Sequence, residues 1–408
     1  MNAICLMIDR LHVGYVGAYG NAWCRTPSFD RLASQAMVFD HALIDSPSLE
    51  ALYRSYWLGW HALCAEGPPE PRPSLAEQLG DAGVTTILMS DEPKLTRHPG
   101  AIDFQELIEI EPAWQAKTAT RIEQTQLARC FMQIIQQVEA AREPFFLWCH
   151  LASLGATWDA PRNFREAYVE PGDPPPPESP EVPGQVLPPD HDPDVLLGAI
   201  QSYAGQVTLL DLCCGALLEC LESTPAGRET LLALVSLRGF PLGEHGRVGP
   251  CDEPLFSELV HVPWMMRFPD GLGAARRSQR LIEPADLWAS LLDCWQLPPP
   301  PSATACSLLP SLRQESCGER DRLCVRGPGG QRAIRTPAWY LRVAEEPELF
   351  VKPDDRWEVN NVTMRCREVS EHLLEALSQC QQAWGQPNPA GGCIRIPPLS
   401  NVLLHGLE

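Results

Sequence analysis

The sequence predicts an α/β protein. A large domain over about residues 1–310 carries a mixed, mostly parallel sheet with helices on both faces, and a small α+β domain covers 311–408. Three observations carry this. The chain has 408 residues, 44% of them hydrophobic, which suits one large α/β domain plus a smaller one. Continuous apolar runs, the mark of strands buried on both faces, alternate with segments of helical period. Beyond residue 311, short runs at Leu323–Val325, Arg332–Thr336, Trp339–Val343 and Leu349–Val351 read as antiparallel strands ahead of a helix at about Met364–Trp384.

Taken in order, Ala3–Ile8 is a buried-type strand ending at Asp9. A carboxylate at the C-terminal end of such a strand lies where α/β sheets bind ligands, although it can equally serve as a turn or cap. Gly14, Gly17 and Gly20, with Tyr15 and Tyr19, form a glycine-rich loop whose spacing is not that of a nucleotide site. Thr26-Pro27 opens a helix with Phe29, Leu32, Ala33 and Ala36 on one face. A strand from Met37 through Ile44 then leads to Asp45. Ser46 as N-cap and Pro47 at the first helical position start a helix with Leu49, Leu52, Tyr53 and Tyr56 on one face, and Gly59 ends it. Asp45 thus stands at the positive end of a helix, a place that commonly holds an anion or a nucleophile, and as commonly an ordinary turn.

Gly83–Met89 is a further strand, Trp114–Arg142 a long helix, and Pro144–Leu151 a buried strand ending near His150. Residues 171–194 are rich in proline and acid and read as an excursion without its own core. A helix spans Ser202–Leu218, and Leu231 opens a strand that runs into a loop through Gly246.

Composition excludes some partners. Lys and Arg number 32 against 52 Asp and Glu, a net charge of −20, which disfavours nucleic acid, anionic membranes and polyanions. The 16 cysteines make no zinc spacing, and Cys5, Cys149 and Cys220 read as reduced core residues. No basic leader precedes the first strand, and no stretch approaches ~18 uninterrupted apolar residues, so the expectation is a cytoplasmic protein without a membrane span.

The opening "NAICLMIDRLHVGYVGAYGNAWCRTPSFDRLASQAMVFDHALIDSPSLEALYRSYWLG" resembles the start of a sulfatase, in the alkaline-phosphatase superfamily. Those proteins begin with a strand ending in two aspartates, a G-x-Y-G loop, a T-P-x-x-D-x-L-A helix, and a strand leading to C-x-P-S-R-A-x-L-x-x-G. The likeness continues in family order through "PFFLWCHL", "SYAGQVTLLDLCCGALL", "LLALVSLRGFPLGEHG", "HVPWMMRFPDG", "DLWASLLDCWQLPPP", "SLLPSLR" and "AIRTPAWYLRV…ELFVKPDDRWEVNNV", nearly the whole chain. It implies the sulfatase fold, sulfuric or phosphoric ester hydrolysis, a formylglycine made from the Cys of C-x-P-S-R, a calcium ion and a ring of basic side chains.

Residue by residue, the chain departs from that set. The first metal aspartate is Asp9, but the second falls on Arg10. The S-D-H-G pair falls on Leu237 and Arg238, and leucine cannot ligate calcium while arginine repels it. The nucleophile position is Asp45, which cannot become formylglycine and repels an anion unless a metal screens it. Leu49 replaces the arginine of C-x-P-S-R, Asp91 and Pro93 the lysine and histidine of G-K-x-H, Gly155 the histidine of P-H-x-P, and Pro250 the lysine after G-E-H-G. Buried charges without a metal must be paired, so Arg10 and Arg238 are expected to neutralise Asp9 and Asp45.

Other constellations are weaker. Glu244-His245 offers new metal ligands, yet the same G-E-H-G piece lies outside the family's metal shell. His191, Asp192 and Asp194 read as solvated loop charges, Ser46 or Ser48 with His41, His61 or His98 lacks a supporting motif, and Cys24 and Cys64 have no sign of activation. Two readings follow. One is a sulfatase-like pseudoenzyme that needs no cofactor and binds a small molecule or protein, with Arg10, Arg238 and His245 as binding residues. The other is an ester hydrolase, rebuilt around Asp9 and Asp45 and perhaps His245, that needs calcium or another divalent cation.

Overall fold

The computed structural model describes residues 1–64, 72–112, 117–141, 144–300, 304–315, 320–384 and 396–406. The chain divides into two compact units interleaved in sequence: residues 1–40, 79–251 and 262–278 form the first, and 41–78, 252–261 and 279–408 the second. Residues 41–78, 252–261 and 279–310, which the sequence places in the large domain, therefore group with the C-terminal part.

An eight-stranded sheet is built from β1 (Asn2–Ile8), β2 (Met37–Ala42), β3 (Thr85–Ser90), β4 (Glu106–Glu109), β5 (Phe145–Leu151), β7 (Thr230–Ser236), β9 (Trp264–Arg267) and β10 (Arg276–Ile282), in the order β10-β2-β9-β7-β1-β5-β3-β4. Two short strands, β6 (Gln185–Val186) and β8 (Arg247–Val248), pair separately. Central strand β1 runs parallel to both β5 and β7, and β9 runs antiparallel to β7. Every residue of β1, β5 and β7 is buried, as their continuous apolar runs require. Register places Ile8 beside Leu151 and beside Ser236, so the three strands end level and the residues after them leave the sheet together.

Helix Pro27–Gln35 buries Phe29 and Leu32 as its period predicts, and its first free amides, Ser28 and Phe29 N–H, donate to the Asp211 carboxylate. The helix expected at 114–142 is Gln126–Ala140, started by Thr125, whose side chain accepts from Ala128 N–H; residues 114–116 and 142 lie outside those described. Helix Pro193–Ser223 is longer than the expected 202–218 and is apolar and long enough to cross a membrane by composition. Its most apolar window is 67% buried within the fold, as in a core helix.

The excursion at 171–194 is tied down along its length. Arg165 donates to the carbonyls of Pro177 and Ser179, Trp158 N–H to that of Pro180, and β6 pairs with β8 beside the G-E-H-G loop.

In the second unit, β11 (Leu323–Arg326), β12 (Arg332–Arg335), β13 (Trp339–Val343) and β14 (Pro347–Val351) form the antiparallel sheet read from the sequence. Its core includes Ile334, Leu341 and Leu349, together with Leu373 and Leu377 of helix Arg367–Trp384. The helix after Asp45 is Leu49–Leu58, two residues later than expected: Ser48 is the N-cap, and Ser46 Oγ instead accepts Ser48 N–H at 3.2 Å. Gly59 ends it at φ 60°, and a Cβ there would lie 2.4 Å from Trp288. Gly59→Ala combines left-handed strain with a clash against a buried indole, and should lower stability by roughly 2–4 kcal/mol in urea unfolding. A loss under about 1 kcal/mol would show that the indole yields freely.

Candidate functional site

The level ends of β1, β5 and β7 bring together three of the residues singled out in the sequence, Asp9, Arg10 and Arg238, with His150 beside them. Asp9 follows β1 and Arg238 follows β7 by two residues. Arg238 Nε donates to Asp9 Oδ1 at 2.9 Å and Nη2 to Oδ2 at 2.5 Å, a two-bond fork onto the carboxylate. Arg10 stands behind it, Nε 3.9 Å from Asp9 Oδ2, with Nη1 donating to Cys251 O. Asp9, Arg10 and Arg238 are all buried. His150, on β5 opposite Met7, completes the group.

The titrations follow from this packing. Burial by itself would raise the Asp9 carboxyl; the charge and hydrogen bonds of Arg238, with Arg10 and His150 beside it, reverse that and hold it below the usual carboxylate value. Burial pushes the His150 imidazole down to about 4, against the pull of Asp9 and with the repulsion of Arg238.

The backbone is fitted to the same arrangement. Arg10 adopts φ 66° and its carbonyl accepts from Tyr203 Oη at 2.7 Å. Ser236 Oγ accepts Leu11 N–H at 3.2 Å and donates to Arg238 O at 3.0 Å, which ties the two loops to each other. Gly155 leaves room for Arg10: a Cβ at 155 would lie 2.8 Å from Arg10 Cγ. Gly155 and Arg10 are thus complementary in size. Leu237 is fully buried, so it packs as core.

These residues do not fit calcium, which takes about six to eight oxygen ligands. Of the four positions only Asp9 supplies a carboxylate, and both its oxygens are engaged by Arg238. Among the described residues no group of three or more His, Cys, Asp or Glu is placed to hold a metal ion.

Other candidates are placed differently from expectation. Asp45 lies in the second unit and is 1% exposed. Its Oδ2 accepts Ala62 N–H at 2.9 Å and is bonded to Ser55 Oγ, so neutral groups rather than Arg10 or Arg238 satisfy it. Its carboxyl is raised, chiefly by burial, against the opposing effects of His61, Ser55 and Ala62. His245 is exposed, at φ 49°. Its neighbour Glu244 faces inward instead, Oε1 3.4 Å from His12 Nε2, while His12 Nδ1 accepts Gly14 N–H at 2.7 Å. Asp91, expected in place of a lysine, accepts Ala152 N–H at 2.7 Å and Gln126 Nε2 at 3.2 Å, and so secures the turn after β5.

Sequence reasoning missed His12, Tyr203, Ser55 and the buried set of Glu283, Asp286 and Arg320, in which Arg320 holds Asp286 at 2.6 and 2.8 Å. A signal existed for two of these: Glu283-Pro284-Ala285-Asp286 has the spacing of a capping box, and both its bonds form.

Three comparisons bear on this geometry. The family model described as Sulfatase matches residues 1–297. Human iduronate 2-sulfatase (Homo sapiens) is 21% identical over 95% of this chain and 86% of that protein, and the mouse protein (Mus musculus) is 27% identical over 38% of this chain and 29% of its own length. Among solved structures, the phosphonate monoester hydrolase of Agrobacterium radiobacter superposes with a TM-score of 0.75 at 16% identity, covering 97% of this chain and 100% of that one. A structure solved with its substrate D-glucosamine-2-N,6-O-disulfate gives 0.74 at 16% identity, covering 95% and 99%.

Removing Arg238 leaves the Asp9 charge buried beside a poorer partner. Arg238→Ala should cost about 3–5 kcal/mol in urea unfolding. Because the folded Asp9 pKa lies below the unfolded one, its stability contribution is present above pH about 3.9 and lost as pH falls through the folded value. Arg238→Ala should therefore also flatten the acid limb of the stability profile; an unchanged limb would mean that the pair does not set it.

Proposed function

The chain belongs to the sulfatase family, and we propose that it is a member in which ion pairing has replaced metal-dependent ester hydrolysis, leaving a binding or regulatory role. The observation that carries this is the fork of Arg238 on Asp9, which puts a guanidinium against the one retained metal carboxylate. Family chemistry needs cations around the non-bridging oxygens, an aligned nucleophile and an acid for the leaving group. Here the positions equivalent to the metal ligands are Asp9, Arg10, Leu237 and Arg238, and the nucleophile position is a buried, hydrogen-bonded Asp45.

Two costs oppose return of a metal. A divalent cation at Asp9 has to displace Arg238 and then sit beside two guanidinium groups, a repulsion that low dielectric strengthens. Asp9, Arg10 and Arg238 support each other without one, through Tyr203, Ser236 and Gly155. The partner is a small molecule or a protein; a net charge of −20 opposes nucleic acid and anionic membranes. The other reading, an ester hydrolase rebuilt around Asp9 and Asp45, requires a cation that the present donor set disfavours.

The test is metal analysis and calorimetry of the purified protein with calcium, magnesium, manganese and zinc, alongside turnover of aryl sulfate, phosphate and phosphonate esters. No stoichiometric metal and no turnover above background are expected, with D-glucosamine-2-N,6-O-disulfate used as a separate binding probe. One equivalent of metal together with turnover, both lost in Asp9→Ala, would overturn the proposal in favour of the hydrolase.

A further inference from the structure

Asp45 and Ser55 cannot both hold the protons usually assigned to them. Ser55 Oγ lies in hydrogen-bonding reach of two oxygens, Asp45 Oδ2 and, at 2.9 Å, Trp60 O. A hydroxyl has one proton to donate, and a peptide carbonyl can only accept. The proton between Ser55 and Trp60 therefore belongs to Ser55. The bond between Ser55 and Asp45 then needs a proton from Asp45. The other carboxyl oxygen agrees: Asp45 Oδ1 is buried with no hydrogen-bond partner among the described residues. Half of a charged carboxylate left bare in this way is costly, whereas the carbonyl oxygen of a neutral acid is much less so.

We propose, resting on the reading that Asp45 is not a working nucleophile, that Asp45 is held as a neutral carboxylic acid and heads a proton-dependent latch, Asp45–Ser55–Trp60. The latch spans helix Leu49–Leu58, from the residues before it to the turn after it. Asp45 donates to Ser55 Oγ, Ser55 donates to Trp60 O, and Ala62 N–H closes the turn onto Asp45 Oδ2. Ionisation of Asp45 turns the Ser55 proton to the carboxylate and withdraws it from Trp60 O. The turn at 59–62 then loses a tie while a bare charge appears in the core.

Among the described residues no titratable or charged neighbour is committed to Asp45 as a counter-charge. His61 Nδ1 accepts Leu63 N–H at 3.1 Å, and its Nε2 lies 3.6 Å from Glu283 Oε2. Glu283 in turn faces Arg320 at 3.5 Å, and Arg320 is forked on Asp286. Cys64 is buried nearby and its thiol is pushed up to about 12 by burial, by Asp45 and by Glu283, with Arg54 and Arg72 opposing. Desolvation outweighs the pull of His61, Ser55 and Ala62 on Asp45 itself, in the direction of the neutral acid.

The folded protein then binds a proton at Asp45 that the unfolded chain has released. Stability falls as pH rises from about 3.9 to the folded pKa and is flat above it. Asparagine does not titrate, and its amide N–H also donates to Ser55 Oγ, but an amide nitrogen there cannot accept Ala62 N–H as Asp45 Oδ2 does, so the variant loses one bond at every pH.

The experiment compares the full-length protein with Asp45→Asn by infrared difference spectroscopy at neutral pH and by urea unfolding across pH. The expected result is a protonated-carboxyl carbonyl band present only in the unsubstituted protein. In unfolding, the variant starts below the unsubstituted protein near pH 4 by the lost Ala62 bond and gains on it as pH rises, by roughly tenfold in folded-to-unfolded ratio per pH unit up to the folded pKa. Absence of the band, with a stability difference that does not vary with pH, overturns the latch. If Asp45→Asn does not fold, Ser55→Ala supplies the same information: removing the acceptor moves the acid band to higher frequency, and a spectrum without an acid band to move overturns the latch. The band in a protein that turns over esters supports the latch and defeats the binding-protein reading; no band in an inactive protein defeats the latch alone.

Discussion

A carboxylate at the end of a buried strand has to be neutralised, and in this molecule Arg238 does it. Asp9 leaves β1 between two parallel neighbours and is buried, so its charge persists only against an opposite one. The two-bond fork from Arg238 supplies that charge and also fixes direction, since a planar guanidinium meets a carboxylate in few orientations. The loops after β1 and β7 are then constrained to each other, a constraint that the Ser236 bonds to Leu11 and Arg238 repeat. Arg10 at φ 66°, Tyr203 beneath its carbonyl and Gly155 beside its side chain follow from having two arginines at this strand end.

The second buried carboxylate meets the same requirement by different chemistry. Among the described residues Asp45 has only neutral hydrogen-bonding partners, Ser55 and Ala62, and its carboxyl is raised where that of Asp9 is lowered. The contrast follows from local supply: Asp9 has a guanidinium forked onto both its oxygens, whereas Arg320 in the other unit serves Asp286 and Glu283. One position is held by charge pairing, the other by a chain of hydrogen bonds, and neither leaves an exposed carboxylate ready to attack an ester.

Much of the fold was legible in the sequence because the strands announce themselves. The apolar runs ending at Ile8, Leu151 and Ser236 are unbroken, and full burial on both faces demands just that pattern. The pairing of Arg238 with Asp9 could be read as well, from two opposite charges at the ends of strands that are neighbours in the family. The expectation failed at Asp45, because a serine ten residues on and a backbone amide leave no mark in the sequence. The helix start failed for a related reason: Ser46 and Ser48 are equal candidates for a cap until the backbone shows that Ser46 bonds to Ser48 N–H. His245 was expected as a binding residue; it is exposed, and its neighbour Glu244 meets the buried His12 instead. Interleaving of the two units was not legible, since nothing in local composition tells residues 41–78 apart from the strand and helix segments around them.

The central claim is that Asp9 and Arg238 act as one unit, with the arginine in place of a cation. A double-mutant cycle on Asp9→Asn and Arg238→Met, read by urea unfolding, measures that unit most directly. The account predicts a coupling energy on the order of 2–3 kcal/mol, with the double variant far less destabilised than the sum of the two single ones. A coupling near zero would contradict it, since Arg238 would then contribute nothing that depends on the Asp9 charge.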